Sequence, residues 1–339
     1  MFKKILTKYL LIWLTLTCIL AYYWPRLGLG FDPFVLPPID CHWFKISAAE
    51  IYISVTMLMI GSLLPVDELR AVAKNWTQIV SGTAVQYITM PLLAFISACI
   101  FGLTGPYFIG IMLVGCVPGA MASNMLVMIA RGNVSYSVGL TTSATLLSPA
   151  VVPVTLYLAI SVLGPYFGCT DAVNQSYFNT QVVIDMAKTL LLTVVLPVGI
   201  GFSLARVSKA WHAFSQLFGE IVANIVIIII IASVVAANRG GKFPVNMIAP
   251  LILLNFGGFL AGWIGGKYIL RLDIKKACAL MIEIGMQNAG LGVMLAGIYF
   301  GTQPQVAMCC AMFTFGCMFT GIVLVQIFRV LMDRWGVEE

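Results

Sequence analysis

Charge is what this chain has least of. Only 9% of its 339 residues are Asp, Glu, Lys or Arg, and 60% are hydrophobic, whereas a soluble domain carries roughly 25% charged residues. The mean hydropathy is +0.99. An ordinary soluble domain is excluded, and the composition predicts a polytopic membrane protein with length for about ten spans of roughly 20–25 residues. Histidine is nearly absent: His42 and His212 both fall in loops and suggest no catalysis. There is no HExxH, no nucleophile–base pair and no close carboxylate dyad in the apolar runs, so the chain reads as a non-enzyme. The nine cysteines include no CxxC and no metal-ligand spacing; all but Cys41 and Cys169 lie in apolar runs, where cysteine acts as a small hydrophobe. No small-x-small cleavage site precedes Pro25, so Lys3, Lys4 and Lys8 introduce a retained first span rather than a cleaved signal. The net charge of +6 is not a nucleic-acid footprint, because its distribution follows the membrane.

Apolar runs predict spans near 6–24, 47–65, 78–102, 106–130, 135–162, 180–205, 216–237, 247–268, 276–299 and 306–329, with the fourth and ninth interrupted. With the N-terminus inside, fourteen of the nineteen Lys and Arg residues fall on the inner side. Arg26, Lys45, Arg239 and Lys242 fall outside, and Lys188 lies within a span. This bias places both termini in the cytoplasm of a cell with the chain in its inner membrane. The polar loops holding Cys41 and Cys169 then both face outward, where the two thiols can form a disulfide.

From Ala277 to Phe328 the one ionisable Asp, Glu, Lys or Arg is Glu283. A carboxylate at that depth costs about 2.5–3.5 kcal/mol on insertion scales, so it is expected to be protonated, paired with a cation, or both. It sits in Met281-Ile-Glu-Ile-Gly-Met-Gln-Asn-Ala-Gly290. Half a chain earlier lies Gly115-Cys-Val-Pro-Gly-Ala-Met-Ala-Ser-Asn124, and Asn124 and Asn288 are 164 residues apart. Each segment falls in the fourth span of a five-span half, and an odd number of spans per half means an inverted repeat. Paired Gly/Pro-interrupted spans at corresponding places point to a midplane site, where freed carbonyls suit a cation and half-helix N-termini suit an anion. Pro118-Gly119 is a strong break signal and Gly285 alone a weak one.

These stretches, with Ala130-Arg-Gly-Asn-Val134 and the Ser137-Val-Gly-Leu-Thr141 behind it, resemble the bile acid:sodium symporter family, in the manner of its bacterial-type sodium-dependent organic anion transporters. The resemblance runs from the Gly61-to-Asp67 turn through the tenth span. It implies an all-α membrane protein of ten helices in two inverted five-helix repeats, residues 1–165 and 166–339, with broken crossing helices 4 and 9. A core domain would draw on about 78–162 and 247–329, and a panel domain on about 6–65 and 180–237. It further implies symport of an organic anion with two sodium ions. The first ion would bind Ser123, Asn124, Ser137, Thr141 and Glu283. The second would bind Gln86, Glu283 and Gln287 with the carbonyls of Ile284 and Met286. Hard oxygen donors and one shared carboxylate agree with that chemistry.

Many relatives have Gly-Gly-Thr where this chain has Gly119-Ala120-Met121, which leaves the sodium ligands intact but puts the anion in doubt. Met121, Ala122 and Asn288 are the residues expected to meet the substrate. Asn255 reads as an interhelical hydrogen bond, and Asp185, Glu220 and Lys188 as snorkelling side chains. The expected partners are a small organic anion and the lipid bilayer, with no nucleic acid and no obligate protein partner. Two other readings stay open. A proton-coupled carrier of the same fold would titrate Glu283, and a non-transporting receptor or scaffold would need none of the sodium ligands.

Overall fold

The computed structural model describes residues 10–27, 32–34, 39–41, 44–65, 76–167, 179–240 and 244–334. Cys169 lies outside them, and so do Lys3, Lys4, Lys8, Arg70 and Lys74, which takes the Cys41–Cys169 pairing and part of the charge asymmetry out of view. The described chain is helical apart from one hairpin. Helix α1 is Leu10–Tyr23, and strands β1 (Ile39–Cys41) and β2 (Phe44–Ile46) pair antiparallel with Ile39 opposite Ile46. Then follow α2 (Ala48–Leu63), α3 (Trp76–Phe101), α4 (Gly105–Cys116), α5 (Ala122–Ile129) and α6 (Val134–Leu158). The rest are α7 (Thr180–Leu190), α8 (Leu196–Val207), α9 (Lys209–Ala237), α10 (Ile248–Ile264), α11 (Ile274–Gly285), α12 (Ala289–Tyr299) and α13 (Pro304–Arg334).

Among the described residues, six helical stretches are long and apolar enough to cross a membrane: Trp76–Phe101, Val134–Phe167, Thr180–Val207, Lys209–Ala237, Val245–Ile269 and Pro304–Arg334. Short π-helical turns carry α6 and α10 onward and join α7 to α8. Helices α1, α2, α4 and α12 are apolar but shorter. At 1.5 Å per residue, α4 and α5 are about 18 Å and 12 Å long, each too short for a hydrocarbon core of about 30 Å. Large exposed side chains such as Ile88, Ile100, Leu260 and Phe319 are apolar, which is the surface expected of a protein solvated by lipid.

The chain divides into two compact units. One comprises Met1–Leu64, Lys188–Phe243 and Gly290–Ala311. Within it α2 packs backbone to backbone on α8, since a Cβ at Gly61 would overlap the Val198 carbonyl and one at Gly201 would overlap that of Leu58. Ser62 Oγ donates to Gly201 O at 3.1 Å and accepts from Trp211 Nε1 at 3.0 Å, so α2, α8 and α9 share one closed polar contact.

The other unit comprises Pro65–Ala187, Pro244–Ala289 and Met312–Glu339. Its α10 and the π-helical turn that continues it carry glycines at 258, 262 and 266, a stripe with a period of four residues. Added Cβ atoms there would lie 3.0 Å from Gly285 Cα, 2.6 Å from Met281 Cα and 3.0 Å from Ala277 Cα, respectively. Small residues let two membrane helices touch through their backbones, so this stripe seats α11 deep in the unit. Asp273 starts α11 as its N-cap, accepting from Lys276 N–H at 3.0 Å, and Asn133 starts α6 in the same way, accepting from Tyr136 N–H at 2.8 Å.

Candidate functional site

Two unwound stretches meet inside the second unit. Helix α4 stops at Cys116 because Pro118 has no N–H to continue it, and Val117 is already extended. Helix α11 stops at Gly285, and Met286 is extended at φ −114°, ψ 101°. The two stretches then pair as a single antiparallel bridge, Gly119 opposite Gln287. Ala120 N–H donates to Met286 O at 2.8 Å, and Asn288 N–H donates to Pro118 O at 2.8 Å. Backbone groups freed from helices in an apolar interior are costly unless paired, and here each break supplies the partners of the other. Asn255 on α10 adds a side-chain partner, its Nδ2 donating to Gly285 O at 2.7 Å. Thr320 on α13 holds that amide in place, donating to Asn255 Oδ1 at 2.5 Å.

The carboxylate of Glu283, two residues before the α11 end, is fully buried. Ser123 Oγ donates to its Oε2 at 2.5 Å, Thr141 Oγ1 donates to its Oε1 at 2.5 Å, and Ser137 Oγ reaches Oε2 at 3.3 Å. Ser123 is in the first turn of α5, and Ser137 and Thr141 are successive residues on one face of α6. The carboxylate also lies on Gly119, where a Cβ would overlap Oε1. No described lysine, arginine or histidine pairs with it. Three neutral hydroxyls around an acceptor-only group leave its charge uncompensated, and an unpaired buried charge is strongly destabilising. A carboxyl so placed is expected to be protonated, paired with a cation, or both.

Asn124 stands apart from that cluster. Its Nδ2 contacts the Met121 sulfur at 3.8 Å, while its Oδ1 is buried with no hydrogen-bond partner. A second group of oxygens gathers beside Glu283. Gln86 Nε2 donates to Gln287 Oε1 at 3.4 Å, and Gln287 Nε2 donates to Ile284 O at 2.8 Å. Gln86 Oε1 is also buried without a partner. The Met286 carbonyl accepts from Ala120 and so uses one of its two lone pairs in the crossover. Met121, Ala122 and Asn288 are half-buried, the accessible flank of the crossover. Among the described residues no His, Cys, Asp and Glu cluster could hold a transition metal.

Sequence comparison agrees with this geometry. A model of the sodium bile acid symporter family matches residues 50–244, more than half of the chain. This chain belongs to that family. It is 28% identical over 298 residues to an uncharacterized sodium-dependent transporter, YocS, of Bacillus subtilis, covering 87% of this chain and 83% of that protein. It is 30% identical over 323 residues to a probable chloroplastic sodium/metabolite cotransporter, BASS1, of Arabidopsis thaliana, covering 94% and 72%. Sodium/bile acid cotransporter 4 of Mus musculus is 23% identical over 245 residues, covering 70% of this chain and 52% of that protein. Membership of the symporter family makes the chain a multi-pass membrane protein of sodium-coupled transport, with Na+ as co-transported ion.

Two features of this symporter site escape a reading of residue types. Asn255 is visible as a polar residue in an apolar helix, yet nothing in its neighbours says that it holds the end of α11. Gly119 reads as part of a break signal, but its missing side chain also makes room for the Glu283 carboxylate.

Proposed function

We propose that the chain is a symporter in which two sodium ions bound around Glu283 drive an organic anion into the cell by alternating access. The observation that carries this reading is the pairing of a buried carboxylate that meets no described basic side chain with unsatisfied amide oxygens, Asn124 Oδ1 and Gln86 Oε1. Oxygens that lack donors suit a hard cation, and a monovalent one needs no second carboxylate. The first ion takes Ser123, Asn124, Ser137, Thr141 and Glu283; the second takes Gln86, Glu283, Gln287 and the carbonyls of Ile284 and Met286. Two monovalent cations sharing one carboxylate leave a net positive site. That charge, with the N-terminal amides of α5, attracts an anion at Met121, Ala122 and Asn288 without relying on a described lysine or arginine. The chain would cross the inner membrane ten times as two inverted five-helix repeats, with both termini cytoplasmic and with core and panel domains. The matched breaks at 117–121 and 286–288 support that plan; the two compact units follow the panel and core segments in part, with residues 290–311, expected in the core, grouping with 1–64 and 188–243.

The test is uptake by proteoliposomes of radiolabelled taurocholate, a keto acid and pantoate under an inward sodium gradient. At least one anion accumulates with sodium, and Glu283→Ala abolishes accumulation. Equal uptake in potassium buffer sinks the sodium reading. A proton-coupled carrier is the second reading, favoured by the burial of Glu283 without a basic partner. It predicts accumulation driven by a pH gradient in sodium-free buffer.

A further inference from the structure

Thr83 is buried, 1% exposed, and its hydroxyl has no hydrogen-bond partner. Among the described residues it shares this with Thr142 on α6, whereas several other helical threonines are satisfied within their own helix. Thr56, Thr89 and Thr193 each donate to the carbonyl four residues earlier, the ordinary way to satisfy such a group in an apolar helix. Its position explains why the departure matters. Helices α3, α6 and α11 run parallel: Tyr136 Oη donates to Gln78 O at 2.9 Å and Lys276 Nζ to Gln78 Oε1 at 3.1 Å near their starts. Further along, Gly82 faces Leu140 and Leu280, and higher still Gln86 meets Gln287 and Tyr87 Oη donates to Ala144 O at 2.6 Å. Thr83 falls between those levels, at the height of Thr141 and Glu283. It is also one turn before Gln86 on the same face of α3, and Gln86 Oε1 is itself unpartnered.

We infer that Thr83 supplies an additional oxygen to the cation held by Gln86 and Gln287. This rests on the sodium reading of the site. Two unpartnered oxygens one turn apart on α3 then turn toward one ion, and the hydroxyl keeps its proton clear of the metal. The role is that of a ligand which sets sodium affinity in this chain.

The test needs sodium alone, not the unidentified anion. The melting temperature of the purified full-length protein is titrated with NaCl, with choline chloride holding ionic strength constant; ligand binding to the native state raises it. Thr83→Val keeps the shape and removes the oxygen, and is expected to raise the sodium midpoint about fivefold, while Thr83→Ser stays within about twofold. If the valine variant does not purify, Thr83→Cys, close in volume and a weak acceptor, is expected to show the same rise. Replacing a merely structural threonine would shift the melting temperature equally at every sodium concentration and leave the midpoint unmoved. A midpoint within twofold of wild type in the valine or cysteine variant overturns the proposal while the sodium reading stands. A wild type that responds equally to both salts overturns both.

Discussion

The two breaks at the crossover do the same job by different means. The first is written in its own residues: Pro118 lacks the donor that α4 would need, and Gly119 follows it. The second, Gly285-Met286-Gln287-Asn288, contains no proline, and its residues alone are a weak stop. It is stopped from outside. Asn255 takes the Gly285 carbonyl, and Phe259 lies so close to Gly285 that a Cβ would overlap its ring. One break is a property of the segment, the other of the helices packed around it.

That contrast can be broken in order of expected effect. Gly119→Ala should be the most damaging, because the new methyl lands on Glu283 Oε1 and displaces the carboxylate from Thr141. Sodium-driven uptake should fall by about tenfold or more, equivalent to about 1.4 kcal/mol or more of lost binding. Gly297→Ala, with nothing within 4 Å of the added atom, is the control and should transport normally. Asn255→Leu comes next: it strands the Gly285 carbonyl, at a cost of about 1–3 kcal/mol, read as a lower melting temperature and slower uptake. Pro118→Ala should cost less, because the carbonyl that accepts from Asn288 remains. It nonetheless restores the donor that α4 lacks, so uptake should fall about threefold. If Pro118→Ala leaves uptake unchanged, the first break is held from outside like the second and the contrast is lost.

The same contrast explains what could be read in advance. Ser137 and Thr141 share a face as their spacing suggested, because side chains four apart on a helix lie together. Their meeting with Ser123 and Glu283 was implied by the family resemblance rather than by any spacing. The positions of both interrupted helices were legible because polar types stand out in apolar runs. The bond from Asn255 to Gly285 was not, since it joins residues 30 apart through helix packing that no local pattern encodes. Nor was the contact between Met121 and Asn124, which depends on the conformation of the first turn of α5. The departure at Met121, read as a matter of substrate alone, therefore also touches a candidate ion ligand.

The bridge between Gly119 and Gln287 is made wholly of main chain: the amides of Ala120 and Asn288 and the carbonyls of Pro118 and Met286. Such a joint is indifferent to most of the side chains it carries. Residues 120, 121 and 288 can be exchanged one at a time without unpicking it. A transporter built this way can change its cargo by small mutational steps, each through a folded intermediate, while the joint beside Glu283 stays as it was.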